Sequence, residues 1–372
     1  MGKITILIFS MDQDYGNALG KAISNLHRNF SVHVRDFKEA ETKKSYLVIQ
    51  AMETEYKVLL SDEPVAIRLD KLPEQIYKYE RVSEISKEIG YIVAMMTGKQ
   101  WVSFSRKKTK IIGFYGASGG CGKTSLTIGV AKQLSRYENQ KVLYLSLEEF
   151  ESTQTYFTEH FQENGRNISH YLYYAFHREK ESVASFAESF MGTDSYGVDF
   201  FKPCGSHNEL TTLNCEELYK FFNGLMKYGI YDYILLDFQS MARDETMYLM
   251  TCCEKMVLIQ EASFLSKMKT EKFISYVCKE QENFSEENLI RVKNKVKPFD
   301  FEKETQEITV NTAAEEKEDS LFVSVAWDED SFTKQGQGVH ISVENTFGLG
   351  VQTIVAKIRA GREKKLQRDS LD

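Results

Sequence analysis

The chain has 372 residues, of which 42% are hydrophobic and 27% charged, a composition typical of globular proteins and long enough for two domains. Its formal net charge of −7 gives no overall basic surface, which argues against nonspecific nucleic-acid binding. No apolar run is long enough to span a bilayer, the opening residues do not form a signal-peptide pattern, and the six cysteines lack metal-binding spacing. We therefore expect a cytoplasmic protein with reduced thiols and no integral membrane segment.

The first hundred residues predict strands that alternate with helices. One helix is expected after the first strand, where Asp12 or Asp14 can cap it, and another over about 81–97. Such alternation predicts a parallel sheet covered by helices on both faces. Apolar and β-branched runs predict the strands at 3–10, 30–34, 45–50, 57–61 and 66–73.

This order resembles the receiver domain of two-component signalling. Asp12 and Asp14 stand where receivers carry an acidic pair, and Ser61 and Lys71 could fill the polar positions near the fourth and fifth strands. Gln50 stands where receivers carry the phosphoacceptor aspartate, and its amide has no carboxylate oxygen with which to form an acyl phosphate. The resemblance implies an atypical receiver-like (flavodoxin-like) domain that does not switch by aspartyl phosphorylation. The alternative is a plain α/β domain without signalling ancestry.

We predict that this first domain covers residues 1–98, that 99–110 form a linker, and that a second domain covers 111–372. The linker is placed where the apolar periodicity lapses and basic residues concentrate, a pattern typical of a solvated segment. A docking role fits the first domain better than chemistry.

Residues 111–127, IIGFYGASGGCGKTSLT, have the order strand, glycine loop and helix. This order is what phosphate binding requires, because glycines let the loop turn its N–H groups inward and the helix adds its positive N-terminal end. Lys123 would reach the β- and γ-phosphates, and the Thr124 hydroxyl would bind Mg²⁺. The pattern G-x-x-x-x-G-K-[ST] is matched except at its first glycine, where Ala117 stands; the alternative is a glycine-rich turn that precedes Lys-Thr by chance. The predicted nucleotide-binding residues of the loop are Ser118, Gly119, Gly120, Cys121, Gly122, Lys123, Thr124 and Ser125.

Two acidic residues end later strands and complete the predicted catalytic set with Lys123. Glu148 ends the strand at 141–149, where it could orient or activate water; the alternative is a helix cap or loop acid. Asp237 ends the apolar strand at 231–239, where it would hold Mg²⁺ through water. Further strands are predicted at 196–203, 255–263, 288–296 and 321–327. Helices are predicted over much of 150–195, at 215–229, at about 264–279 and near the end of the chain. An exposed insertion is predicted at 299–320.

From residue 110 to about 360 the chain resembles the ParA/MinD group of phosphate-loop ATPases. The resemblance is carried by SGGCGKT at 118–124, Ser146-Leu147-Glu148 in place of the acidic motif, Asp237 at a strand end and Asn294 on a later strand. It implies a phosphate-loop NTPase domain of the deviant Walker A type that binds ATP and Mg²⁺, with Asn294 contacting adenine, and that forms a homodimer.

Two departures from this pattern matter. Ser118 stands where the family carries a lysine that reaches the partner's nucleotide, and a serine is too short and uncharged to do so. Ser146 replaces the first acid of the acidic motif, whereas Glu148 keeps the second. The resemblance therefore implies weak cross-subunit catalysis and slow hydrolysis.

A receiver-like domain in front of a ParA/MinD-like ATPase is the arrangement of the TadZ/CpaE proteins of Flp (tight adherence) pilus assembly. This resemblance implies a cytoplasmic dimer that localises at a cell pole and recruits other pilus-assembly and secretion proteins. The leading hypothesis is thus an ATP-binding, slowly hydrolysing localisation factor. The alternatives are a ParA-like DNA partition ATPase, against which the acidic charge argues, and a scaffold with purely structural nucleotide. A bacterial tyrosine kinase of related fold is disfavoured because no tyrosine cluster ends the chain.

Overall fold

The computed structural model of the protein describes residues 4–26, 30–35, 44–51, 54–63, 73–80, 82–97, 109–157, 166–177, 183–205, 207–227, 230–241, 243–280, 286–297 and 322–368. Lys71, most of the expected strand at 66–73, most of the expected linker and the expected insertion at 299–320 lie outside these residues.

The chain forms two compact units. The first unit is Met1–Lys107, Phe161–Gly192 and Tyr219–Ile230, and the second is Lys108–His160, Thr193–Leu218 and Tyr231–Asp372. Two segments from beyond the expected linker therefore group with the first unit. The domain boundaries at 98 and 111 stay a prediction.

The amino-terminal part of the first unit follows the expected order of strands and helices. Asp12 caps the first helix, since its Oδ1 accepts a hydrogen bond from the backbone N–H of Tyr15 at 3.0 Å. The elements described here are β1 (Ile4–Phe9), α1 (Gln13–Leu26), β2 (Phe30–Arg35), β3 (Tyr46–Ala51), β4 (Thr54–Ser61), β5 (Gln75–Tyr77) and α2 (Val82–Thr97).

The direction of β3 contradicts the prediction of a wholly parallel sheet. The strand order is β2-β1-β3-β4-β5, the order of flavodoxin-like sheets, but β3 runs antiparallel to both β1 and β4. The physical reason is the connection: residues 52–53 alone join β3 to β4, and a parallel connection needs a crossover of a dozen or more residues.

The reversal of β3 separates the residues that a receiver would bring together. Gln50 pairs with Thr5 near the amino end of β1, whereas Asp12 and Asp14 follow its carboxyl end. The Gln50 amide instead donates to Glu55 Oε2 at 2.9 Å. The expectation that Gln50 lies beside the acidic pair was therefore wrong.

The first sheet is packed on one face. Ile4, Ile6 and Ile8 of β1 are buried and alternate with partly buried residues, which is typical of a strand with one face on the core. Helices α1 and α2 contact each other and contribute to the same core cluster, so they cover the same face. Among the described residues these two helices cover one face, and the expected cover on both faces stays a prediction.

From residue 110 onward the described elements again alternate. Between residues 150 and 195, which were expected to be helical, the structure has two short helices, a 3-10 helix (Val183–Phe190) and a short strand. The elements are β6 (Lys110–Tyr115), α3 (Lys123–Lys132), β7 (Val142–Leu147), α4 (Thr153–Tyr156), α5 (Ile168–His177), β8 (Met191–Thr193), β9 (Val198–Phe201), α6 (Cys215–Lys227), β10 (Tyr233–Phe238), α7 (Asp244–Thr251), β11 (Lys255–Glu261), α8 (Phe264–Glu280), β12 (Leu289–Val296), β13 (Phe322–Ala326), β14 (Phe332–Gln335), β15 (Gly338–Ile341) and α9 (Thr346–Arg368).

The second sheet has the order β13-β12-β11-β6-β10-β7-β9-β8, and its neighbours from β13 to β9 pair in parallel. Strands β7 and β10 are buried along their whole length, as expected for central strands covered on both faces. The predicted parallel α/β sheet is confirmed here. Strands β14 and β15 form a separate antiparallel hairpin.

Candidate nucleotide-binding site

The parallel register brings the chemically important strand ends to one edge of the second sheet. Asp237 of β10 pairs with Phe114 of β6 on one side and with Ser146 of β7 on the other. Two strands further along, Glu261 of β11 pairs with Asn294 of β12. Because ligands of open α/β sheets bind outside the carboxyl ends of the strands, this edge is the candidate site.

The glycine loop between β6 and α3 needs glycine for two reasons. Gly120 and Gly122 have φ of +74° and +85°, a region that residues with a Cβ rarely adopt. A Cβ at Gly122 would also overlap the side-chain amide of Asn294. That amide donates a hydrogen bond to the carbonyl of Cys121 at 2.8 Å, so it ties the loop to β12. The contact of Asn294 with adenine stays a prediction.

Lys123 begins α3 and lies between two carboxylates. Its Nζ donates to Glu148 Oε1 at 2.6 Å and lies 3.0 Å from Asp237 Oδ1. Lys123 and Asp237 are both buried, Asp237 completely. The structure therefore brings together the three residues predicted to be catalytic.

Tyr144 of β7 also contacts this cluster, although the sequence analysis did not single it out. Its hydroxyl donates to Asp237 Oδ2 at 3.0 Å. A tyrosine in an apolar strand carries no local signal of this contact, because its partner is 93 residues away in sequence. The contact fixes one carboxylate oxygen of Asp237 and leaves the other facing Lys123.

Burial and charge act against each other on these groups. Burial lowers the pKa of Lys123, but the carboxylates of Asp237 and Glu148 together raise it above its ordinary value. Burial raises the pKa of Asp237, whereas Lys123 and a hydrogen bond from Thr124 lower it. Burial, with the Asp237 charge, raises the pKa of Tyr144 well above its usual range, so its hydroxyl stays a donor. An ammonium and two carboxylates thus compensate one another.

Ser146 and Asn208 shape the turn that carries Glu148. The side-chain amide of Asn208 donates to the carbonyls of Ser146 and Glu148 at 2.7 and 3.1 Å, and the Ser146 hydroxyl accepts from the Glu148 N–H at 3.3 Å. Asn208 is not among the predicted site residues, and it lies 60 residues beyond Glu148 in the sequence. Glu148 is therefore a loop acid held by backbone contacts and aimed at Lys123.

The other end of the loop is bound to α8 and β12. Ser118 Oγ donates to Ser266 Oγ at 3.1 Å, and Ser266 Oγ accepts from the N–H of Glu261 at 3.1 Å. Lys295 Nζ donates to the Gly120 carbonyl at 2.6 Å. Neither Ser266 nor Lys295 belongs to the predicted site.

These residues surround a cavity of about 370 Å³. Aromatic residues are part of its lining, including Trp327, which is 43% exposed. Asp237 is buried beneath the cavity, and the other predicted site residues line it. The lining residues are Ser118, Gly119, Gly120, Cys121, Gly122, Lys123, Thr124, Ser125, Glu148, Tyr156, Ser240, Asn294, Lys295, Ala326, Trp327, Phe332 and Phe347.

The residues present fit a magnesium ion that is held partly by a nucleotide. Asp237 Oδ1 is buried and faces the Lys123 ammonium at 3.0 Å, and the Thr124 hydroxyl lies close enough to lower the pKa of Asp237. Within the described ranges, no group of three or more His, Cys, Asp or Glu could hold a metal by itself. Because Mg²⁺ prefers oxygen ligands and keeps several waters, phosphate oxygens would complete its shell.

No protein-family model and no curated protein matches this chain. Among solved structures, it is similar to a plasmid partition protein from Borrelia burgdorferi B31 bound to AMPPNP, with 18% identity, 68% of this chain and 100% of that chain covered and a TM-score of 0.49. It is also similar to a ParA family ATPase from Chlorobium tepidum TLS. The identity is 16%, the match covers 60% of this chain and 86% of that chain, and the TM-score is 0.45. A third similar structure is the MinC:MinD cell division protein complex of Aquifex aeolicus. Here the identity is 15%, the match covers 60% of this chain and 83% of that chain, and the TM-score is 0.43.

None of the described helices combines the length and the apolar character that crossing a bilayer requires.

Proposed function

We propose that this protein binds MgATP at residues 118–125 and hydrolyses it slowly. The observation that carries the proposal is the position of Lys123, whose ammonium lies between Glu148 and Asp237 at the start of α3 and beside the glycine loop. A buried lysine at a helix N-terminus, next to inward-facing N–H groups, suits a phosphate ligand better than any other. Lys123 would exchange a carboxylate partner for the β- and γ-phosphates.

The two carboxylates have separate roles in the proposed hydrolysis. Glu148, which is partly exposed to the cavity, would orient or activate the attacking water. Asp237, which is buried, would hold Mg²⁺ through water together with the Thr124 hydroxyl. The ion would neutralise charge on the phosphates. Ser146 in place of an acid removes one negative group from this edge, which agrees with slow hydrolysis.

A second copy of the chain would dock on the same edge. Exposed apolar side chains follow three of the strands there: Phe150 after β7, Met241 after β10, and Phe264 and Leu265 after β11, all more than half exposed. Exposed apolar residues that cluster on one face mark protein interaction sites. They support a homodimer formed around the nucleotide.

The narrower assignment, to a localisation factor for Flp pilus assembly, rests on the sequence resemblance to TadZ/CpaE proteins. Its support is the chain order of an α/β unit followed by a phosphate-loop unit. In this proposal the protein acts at a cell pole in the cytoplasm and recruits other pilus-assembly and secretion proteins. The net charge of −7 makes a DNA partition role the weaker candidate.

Replacing Lys123 with alanine tests nucleotide binding. We expect the affinity for MgATP to fall by at least about 100-fold, which is roughly 2.7 kcal/mol. Because Lys123→Ala leaves the buried Asp237 carboxylate unpaired, its folding must be checked by thermal melting. Thr124→Ala, which exposes no buried charge, should lose the Mg²⁺-dependent part of the affinity. Tight MgATP binding by both variants, measured by calorimetry, would refute the site.

Solution mass tests the dimer. We expect light scattering with ATP, with ADP and without nucleotide to give a dimer in the presence of ATP. A dimer that forms equally under all three conditions would mean that Ser118 has uncoupled dimerisation from nucleotide. A monomer under all three would rule out the proposed docking face.

A further inference from the structure

Lys295 contacts the phosphate loop from the end of β12. Its Nζ donates to the carbonyl of Gly120 at 2.6 Å and forms an ion pair with Glu261 Oε1, also at 2.6 Å. Hydrogen bonds with a charged donor are stronger than neutral ones. Lys295 also lines the cavity and lies with its ammonium 5.8 Å from the ring centre of Trp327. It is therefore part of the wall that a nucleotide would meet.

The backbone at Lys295 has an uncommon conformation. Its φ is +57°, in the left-handed region that residues with a side chain rarely adopt, and the pairing of β12 with β13 shifts register between Lys293 and Val296. Irregularities of this kind bend a strand and redirect side chains beside active sites. Backbone conformations of this kind are also concentrated at functional sites. Here the irregularity accompanies a side chain that reaches the loop instead of lying along the sheet.

The start of the loop is held by a contact between two uncharged side chains. Ser118 makes a neutral hydrogen bond to Ser266 of the same chain. Lys123 ends the loop, and Lys295 donates a hydrogen bond to its Gly120 carbonyl. Lys123 faces two carboxylates and Lys295 faces one.

Lys295 makes a large contribution to the net charge around the loop. The ammonium groups of Lys123 and Lys295 face the carboxylates of Glu148, Asp237 and Glu261, so two positive and three negative groups give a formal charge of −1. Removing Lys295 changes this to −2. The site would then repel a triphosphate more strongly than before. The repulsion of a diphosphate would also increase, but by a smaller amount, because a diphosphate carries less charge.

We propose that Lys295 is a positioning residue for nucleotide: it holds the Gly120 carbonyl so that the loop N–H groups face inward, and it supplies from the same chain the positive charge that Ser118 lacks. The inference rests on the proposed function, because it concerns the same site. Nucleotide binding then requires no lysine from a partner subunit.

The test is the affinity of the Lys295→Met variant for MgATP and MgADP, measured by titration calorimetry on the full chain at low and at high KCl. Methionine keeps the length of the side chain and removes the charge. We expect the dissociation constant for MgATP to rise about 10-fold and that for MgADP about 3-fold, with a smaller difference at high salt. Lys297→Met, which changes an exposed lysine two residues further on, is the matched control and should leave both constants unchanged.

A second variant separates this role from a merely structural ion pair. Glu261→Gln removes the counter-charge of Lys295, so an electrostatic role predicts an equal or lower dissociation constant for MgATP, and Lys295→Arg should restore most of the affinity. If Lys295→Met binds MgATP within 2-fold of the parent, or if Lys295→Met and Glu261→Gln weaken binding equally, the inference is wrong. Failure of the parent protein itself to bind MgATP would instead refute the proposed function.

Discussion

The two sheets differ in whether the carboxyl ends of their neighbouring strands lie at the same edge of the sheet. In the second unit, β6, β7, β10, β11 and β12 run the same way, so residues far apart in sequence reach one edge and form a charged cluster around Lys123. In the first unit the strand order is that of a flavodoxin-like sheet, but β3 is reversed, and Gln50 lies at the edge opposite to Asp12. Strand direction, and not strand order, decides whether such residues can share chemistry.

The largest expected effect of a substitution at the edge of the second sheet is on the rate of ATP hydrolysis. Glu148→Gln should lower the rate of phosphate release by about 100-fold or more, because an amide cannot accept a proton from water. ATP affinity should remain or increase, because Lys123 loses one competing carboxylate. Glu149→Gln, at the next and exposed position, is the matched control. Unchanged phosphate release by Glu148→Gln would mean that the convergent edge does not perform catalysis through this residue.

A smaller effect is expected from the loop backbone. Gly122→Ala places a Cβ at a φ of +85° and against Asn294, so it should destabilise the protein by about 1–3 kcal/mol and weaken MgATP binding about 10-fold. Thermal melting and calorimetry measure the two effects. For stability the matched control is Gly119→Ala, where a Cβ would meet open space. Equal melting temperatures for the two variants would contradict the close approach of β12 to the loop.

In the first unit the expected effect is on the pH dependence of stability. The Tyr15 hydroxyl donates to the Lys78 carbonyl at 2.6 Å, and burial raises the pKa of Tyr15 from 10.0 to about 12. Between these values the unfolded chain loses the proton and the folded protein keeps it, so stability is present below pH 10 and falls as the pH rises towards 12. Because Tyr15 is only partly buried, screening limits the effect to about 1 kcal/mol.

Tyr15→Phe should remove this part of the slope. Denaturant unfolding followed by circular dichroism between pH 9.5 and about 12 measures it, with the exposed Tyr79→Phe as the matched control. A slope that Tyr15→Phe leaves unchanged would show that the contact between α1 and the residue after β5 carries no stability.

For the last substitution, at position 50 of the first sheet, we expect no effect on binding. Gln50→Asp supplies the carboxylate of a receiver phosphoacceptor, but β3 holds it at the wrong edge of the sheet. We expect no binding of beryllofluoride with Mg²⁺ by calorimetry. The measurement is made without nucleotide and in the Lys123→Ala background, so that the phosphate loop cannot contribute. Binding in that background would show that position 50 does lie beside Asp12 and Asp14, and the contrast between the sheets would fail.

The features that the sequence predicted correctly are those with a local cause. Asp12 caps the helix that begins at the next residue, through the N–H of Tyr15, and Asp237 lies at the end of an apolar strand, so both follow from neighbouring residues. The direction of β3 was missed because it depends on a two-residue connection that was expected to be longer. Tyr144 and Lys295 were missed because their partners lie 93 and 175 residues away, and only the folded sheet brings them together.

The interleaving of the two units has a consequence for synthesis on the ribosome. The first unit includes residues as late as Tyr219–Ile230, and α2 contacts the 3-10 helix Val183–Phe190. At about 5–20 residues per second, the amino-terminal sheet would wait several seconds for these segments to emerge. The unit that is begun first therefore cannot be finished before two segments of the phosphate-loop unit, Lys108–His160 and Thr193–Leu218, have also been translated, and a fragment that stops at residue 98 would lack part of its own packing.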